Sequence, residues 1–519
     1  MAAHILAIDL GTSGPKVAVV DKRGNVKALE IRRVPLIFPP SGGVEQDAQE
    51  WWRSTSQAIQ ALWQSFSQKK EICGIIVTSQ WSTLVPVDEE ANPLNHAISW
   101  MDTRGAPYVA KLFRGFLQYQ GYDILKLGQW LWITGGVPGN SGKDTLAHIL
   151  FLKNELPHIY EKSYKLLEAK DFLNAKLTGR FAATPDSLTL YWLTDNRDPF
   201  SVRYHPELLR LTQIAEEKLP EIVPVASVLG ELTPKAAEEL GLSPGIPVLT
   251  GCPDMQASAI GSGGIEPLDP HLYVGSSQWI SCHMRERKIS PESNMATIPS
   301  ALPGYYLIGN EQECAGFCVD YFLENLVYHP LLERPKAANP YSVFEALTHK
   351  APPGAKRLIF TPWLYGERTP VENKSIRGGF HNLSAEHSLA DMARSVLEGV
   401  SFNARWLLEN VENFAMQKWH TLRMIGGGAQ NELWCQIMAD VLGRQVWVPE
   451  NPRHAPLLGA ALLGFYSLGL LELDALKTVV SQGKTYYPQE ANRKIYDLLY
   501  QEFREIYTTH SRICAKLNL

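Results

Sequence analysis

The chain has 519 residues, 45% of them hydrophobic and 20% charged, with a net charge of −5. That length exceeds one ordinary core and suits two domains. The charge balance excludes a basic footprint for nucleic acid or an anionic membrane, so a nucleotide has to be met by local positive charge: backbone amides, a lysine or a metal ion.

Seven scattered cysteines, with no CxxC pair, read as reduced thiols of a cytoplasmic protein. Cys314 and Cys318 stand four apart, on one face of a predicted helix, and no second pair joins them to make a zinc site. The start, Met1-Ala2-Ala3-His4, runs straight into an apolar strand, unlike a signal peptide. The most apolar stretch, 455–471, contains Pro456, Ser467 and several glycines; it is short of a membrane span and reads as a buried helix.

In chain order, Ile5–Asp9 and Lys16–Val20 read as buried strands around a tight turn, with a second turn at Asp21–Asn25. A helical period covers Glu50–Ser67, and a short buried strand follows at Gly74–Val77. Residues 142–180 read mainly as helices, with Gly179 as the stop. Short strands separated by Pro/Gly turns fill 224–250 and lead through Gly251-Cys252-Pro253-Asp254 into a helix near Met255. Gly263–Pro267 reads as the seam between halves, 1–264 and 265–519. The second half opens on another strand–turn–strand, Leu272–Ile280, a faint echo of the first. Strands alternating with helices make the fold α/β.

Asp9-Leu10-Gly11-Thr12-Ser13-Gly14-Pro15-Lys16 has phosphate-binding character. Gly11 and Gly14 allow a tight turn and a close approach, Thr12 and Ser13 offer donors, Lys16 adds charge, and Asp9 suits a magnesium ion held through water. The plainer alternative is a hairpin with polar filling. Gly142-Lys143 is not a P-loop, because Val137 and Asp144 stand at required Gly and Ser/Thr positions, and Gly426-Gly427-Gly428-Ala429 is not GxGxxG. Those glycines follow a strand-like Leu422–Ile425 and precede a helix start near Asn431, a geometry that allows flat approach of an adenosine.

Taken together, Asp9–Lys16, Trp100–Arg104, Gly251–Asp254, Leu364–Pro370 and Gly426–Asp440 resemble, in order and spacing, the FGGY carbohydrate kinases, and among them the xylulose kinases. The resemblance runs from about Ile5 to about Leu470. It implies two ribonuclease-H-like domains of the actin and hexokinase type flanking a catalytic cleft. It implies ATP and Mg2+ as cofactors, a small-molecule sugar as substrate, and a homodimer as an ordinary assembly. Asp9, Gly11, Thr12, Ser13 and Lys16 would face the phosphates, with Ser276 as the contact from the second half. Gly316, Asp320, Gly427, Gly428 and Asn431 would form the adenosine side. Gln80, Trp81, Asp102 and Arg104 would line the sugar pocket, and Asp254 would deprotonate the sugar hydroxyl.

The implied activity is phosphorylation of a pentulose such as D-xylulose to its 5-phosphate. Ribulose, glycerol and gluconate are the alternatives within the class. A sugar-binding regulator of the same fold and an actin- or chaperone-like ATPase stand outside it. Departures cluster on the sugar side: Ser82 replaces the histidine of Gln-Met-His-Gly, and Met255 follows Asp254 where Asn or Gln is usual. Trp100 is a candidate to stack on a sugar or to sit in the core. Glu367 and Arg368 are expected to pair and fix a loop near the cleft.

Overall fold

A computed structural model describes residues 3–329 and 337–518. The first strand, His4–Gly11, explains its own apolar run. Successive side chains point to opposite faces, and both faces are covered. Leu6, Ile8 and Leu10 pack with Trp51, Ile59 and Phe172, whereas Ile5 and Ala7 pack with Ile260, Leu457 and Leu463. The strand turns at Gly11↔Gly14 into Gly14–Asp21, which pairs with Val26–Ile31. On its other side it runs parallel to Ile72–Ser79, longer at both ends than the Gly74–Val77 core seen in the sequence, and then come Pro247–Leu249 and the antiparallel edge Val228–Glu231.

The second sheet repeats that plan. Gln278–Ser281 hairpins with His271–Val274, which runs parallel to Thr421–Ile425; Gln445–Pro449 follows in parallel and Gly483–Tyr486 closes the edge antiparallel. The echo between the hairpins thus extends to five strands in matching order and sense, with Val26–Ile31 and the short Cys252–Pro253, parallel to Ile72–Ser79, as the first sheet's additions.

Helices are set by local signals. Asp47 accepts from Gln49 N to start Ala48–Ser65, and Ser388 with Asp391 forms a capping box on Leu389–Ala415. The 142–180 region holds three helices, Thr145–Glu155, Pro157–Lys162 and Ala169–Thr178, and one strand, Lys165–Leu167, that pairs with Val85–Val87; Gly179 closes the last helix at φ 70°. Cys314 lies before the helix Gly316–Phe322 that contains Cys318, so the two share no helical face.

The apolar stretch forms the helix Ala455–Ser467, with Pro456 in its first turn, where no N–H is missed. This helix belongs to the second half in sequence and lies on the first sheet, against the helix Asp254–Gly261. A β-carbon on Gly459 would stand 1.8 Å from Ala257 O, and one on Gly261 1.8 Å from Ala455 O. Backbone-to-backbone packing therefore joins the halves, and the seam near 264 separates the sheets without separating the core. No helix among the described residues is long and apolar enough to cross a membrane.

Candidate active site

The hairpin at Gly11–Gly14 is held from three sides. Gly14 has φ 118°, and a β-carbon there would meet Arg32 O at 2.5 Å. Val34 N donates to Ser13 O, and Gln46 Nε2 donates to Thr12 O at 2.9 Å. Asp9, at the strand's end, is 3% exposed, and Lys16 Nζ donates to it at 2.7 Å. The second hairpin is fastened by Ala315 N and Gly316 N, which donate to Ser276 O and Gly275 O, both at 2.7 Å. Ser276 itself is exposed.

A cavity of about 560 Å³ lies between the halves and is lined by Thr12, Gln80, Trp81 and Asp254 from the first and by Ser276 and Glu311 from the second. Asp254 opens its helix, and Met255 N donates to its Oδ1 at 2.8 Å. Burial raises its carboxyl to about 7, with the charges of Asp9 and Glu311 adding to the rise. A carboxyl tuned there exchanges its proton near neutral pH.

Gln80 Nε2 donates to Gln46 Oε1 at 2.9 Å, while its own buried Oε1 has no hydrogen-bond partner. Trp81 Nε1 donates to Ser187 O at 2.9 Å, leaving the ring on the cavity wall. Ser82, at φ 60°, donates to Lys143 O at 2.6 Å, so its hydroxyl serves the wall.

Asp102 and Arg104 are set behind that wall. Asp102 is fully buried and accepts from Val44 N and from Arg104 N, Nε and Nη2. Arg104 also reaches Glu45 at 2.6 Å and lies over the Phe151 ring. The neighbour that does line the cavity is Thr103. An Asp and Arg two apart bind each other and Glu45, and neither is among the residues that line the cavity.

Trp100 is at the cavity but in a different role from stacking alone, because its Nε1 donates to Thr12 Oγ1 at 3.0 Å. Trp100→Phe is expected to raise KM for ATP about 3–10-fold, the worth of one hydrogen bond, with KM for sugar unchanged. ADP-release kinetics read this directly, and a change confined to the sugar's KM would contradict it.

Glu367 and Arg368 do not pair through their side chains. Glu367 accepts from Asn403 Nδ2 at 2.6 Å and from Arg368 N and Glu313 N, and burial lifts it to about 8. Arg368 turns instead to Glu311 at 2.6 Å and Glu313 at 3.1 Å. Glu313 also meets Lys143 of the first half at 3.0 Å. Glu311 and Glu313 were not singled out from the sequence, and Lys143 was weighed only as a P-loop lysine, since their partners lie more than fifty residues away.

The residues assigned to the adenosine side lie outside the cavity lining. Gly427 is exposed, with nothing within 4 Å of where a β-carbon would be. Gly428 packs on Val274 and Trp434, and Asn431 caps Glu432–Leu442 by accepting from Trp434 N at 2.9 Å. Gly316 meets the Gly275 carbonyl, and Asp320 accepts from Tyr341 OH at 2.7 Å.

Two family models match this architecture: the FGGY family of carbohydrate kinases, N-terminal domain, over residues 4–261, and the C-terminal domain of that family over 274–468. The chain belongs to the FGGY family and is a carbohydrate kinase of the two-lobed, actin- and hexokinase-like fold. It is similar to the xylulose kinase of Bacillus subtilis (strain 168), 28% identical over 514 residues and 97% of each chain. The gluconokinase of the same organism is 24% identical over 501 residues, 96% of this chain and 94% of that one. The crystal structure of ligand-bound xylulose kinase from Lactobacillus acidophilus superposes with a TM-score of 0.86 at 24% identity, covering 99% of this chain and 100% of that one.

Proposed function

We propose that the chain transfers the terminal phosphoryl group of ATP to a hydroxyl of an uncharged sugar, D-xylulose foremost, with Asp254 as the general base. The observation that carries this is the shared cavity: Asp254 faces the same space as the two hairpin residues Thr12 and Ser276. Lobes 1–264 and 265–519 each supply one hairpin, and Gly316, Asp320, Gly427, Gly428 and Asn431 supply the adenosine side.

Phosphoryl transfer asks a protein mainly to position groups and balance charge. Thr12 and Ser13 would hold phosphate oxygens from one side and Ser276 from the other, with Gly11 allowing close approach. Lys16, now on Asp9, lies within reach of the same hairpin. Asp254 takes the attacking hydroxyl's proton late in the transfer. Gln80 would meet a sugar hydroxyl from the cavity wall, and Trp81 offers its ring beside it.

The donor set fits magnesium: one carboxylate, Asp9, beside a hydroxyl and a phosphate-binding turn, which suits an ion that keeps several waters. Asp9 would hold it, and bound magnesium would neutralise phosphate charge.

The cavity's cations favour an uncharged sugar over an acid. Lys143 is engaged by Glu313, Arg368 by Glu311 and Glu313, and Lys374 lies in the field of Glu372. Lys143 and Arg368 are thus already neutralised within the wall, and a substrate carboxylate would have to compete with Glu311 and Glu313 for them. The test is coupled ADP release with D-xylulose, D-ribulose, glycerol and D-gluconate. We expect kcat/KM for D-xylulose to exceed that for D-gluconate by about 10²-fold or more. A preference for gluconate would overturn the reading.

A further inference from the structure

Behind the cavity wall sits a buried lysine that the transfer chemistry does not use. Lys170 is 1% exposed, in the first turn of Ala169–Thr178. Its Nζ donates to Asp171 Oδ1 and, at 3.0 Å, to Thr250 O. Asn174 Nδ2, one turn on, donates to that same carbonyl at 2.9 Å. Thr250 is followed by Gly251, which turns at φ 66°; a β-carbon there would stand 1.9 Å from Val77 O and 3.3 Å from Lys170 Cδ. Three residues later comes Asp254. The second arm leaves from Asp171, whose Oδ2 accepts from Ser187 Oγ at 2.8 Å, and Ser187 O accepts the Trp81 indole.

A desolvated ammonium is costly to bury, and this one is compensated by a carboxylate and a carbonyl. Both of those partners connect to the cavity, one to the turn that delivers Asp254 and one to the ring beside the sugar. We propose that Lys170 is a positioning residue that fixes the Thr250–Gly251 turn, and through it the carboxylate of Asp254, against the sugar side of the cavity. Asn174 shares the load on the Thr250 carbonyl, and Asp171 carries the constraint across to Trp81. The inference rests on the reading of Asp254 as general base.

Lys170→Met alone strands the Asp171 carboxylate, so the primary variant is the double one, Lys170→Met with Asp171→Asn, which removes both charges. Asn174→Ala is the milder companion, taking one donor from Thr250 O and no charge. Displacing a catalytic group by about 1 Å can cost about 10²-fold. The double variant is expected to lose about that much in kcat, and Asn174→Ala about 3–10-fold. KM for ATP should stay within about twofold, because the hairpins are untouched, and the acid limb of the pH profile should move, because the surroundings of Asp254 change.

A lysine of purely structural value would lower the folded fraction and leave the pH profile and both KM values of the remaining enzyme at wild-type values; that outcome overturns the proposal. So does a kcat within about threefold of wild type in both variants. Asp254→Asn, assayed in parallel, separates the two readings. If it keeps turning over, the base assignment fails and the clamp with it. If it is inactive while the clamp variants turn over normally, only the clamp fails.

Discussion

Asp254→Asn is expected to lower sugar-dependent ADP release by about 10²–10⁴-fold, the usual worth of a positioned general base. The amide keeps the shape of the carboxylate and still accepts from Met255 N, so KM for ATP should change little. In the wild-type enzyme, kcat/KM should fall about tenfold per unit below pH 7, as the carboxyl that titrates near there takes up a proton. Stability follows the opposite course. The folded chain holds this proton up to about 7, whereas an unfolded aspartate releases it near 4. Between those values the native state binds more protons, so ionising Asp254 removes stability as pH rises through that window. The asparagine variant has no such penalty. Its melting midpoint should lie above wild type at pH 8, and the gap should close toward pH 4. A variant that is inactive but no more stable at pH 8 would show that burial is not what raises the carboxyl.

The second large effect concerns folding. Gly459→Val should destabilise the protein by about 3 kcal/mol or more, at or beyond the top of the usual overpacking range. The reason is that the atom in the way is the Ala257 carbonyl oxygen, a backbone atom that has no rotamer to change. Gly261→Ala meets the Ala455 carbonyl in the same fashion, and because both sites share one helix crossing, their penalties should not add. Thermal unfolding of the two single variants and of the double variant checks this. Gly128→Ala is the contrast: nothing lies within 4 Å of the added carbon, in the helix Ile124–Thr134, so it should gain about 0.5–1 kcal/mol. A Gly459→Val chain that melts with wild type would mean that the two helices can move apart.

What was legible in the sequence was what neighbours in the chain decide. The first hairpin was visible because turn glycines, donors and an acid fall within eight residues, and strand and helix boundaries because caps and periods are local. The apolar stretch was legible as a buried helix, but not which sheet it would cover, since hydrophobicity carries no address. The side of the site facing the sugar was the least legible. Asp102 and Arg104 were expected at the cavity, yet a carboxylate and a guanidinium two residues apart satisfied each other, with Glu45 as a third member. Glu367 and Arg368 are adjacent and were expected to pair, yet each found better partners in Asn403, Glu311 and Glu313. Lys170 and Thr250 are eighty residues apart, and nothing in either stretch announces the other.

The helix Ala455–Ser467 has a consequence for how the molecule is made. It covers one face of a sheet whose first strand leaves the ribosome long before it. At typical translation speeds the wait between Gly261 and Ala455 is roughly 10–40 s. Through that interval the nascent amino-terminal lobe presents Ile5, Ala7, Ile76 and Leu249 without Leu457, Leu462 and Leu463, covered only by its own residues such as Ala257 and Ile260. A fragment ending at residue 264 would be arrested in that state, and expressed alone it should precipitate or stay bound to chaperones. Adding the helix in trans, as a separate peptide, would be the direct way to bring it back into solution.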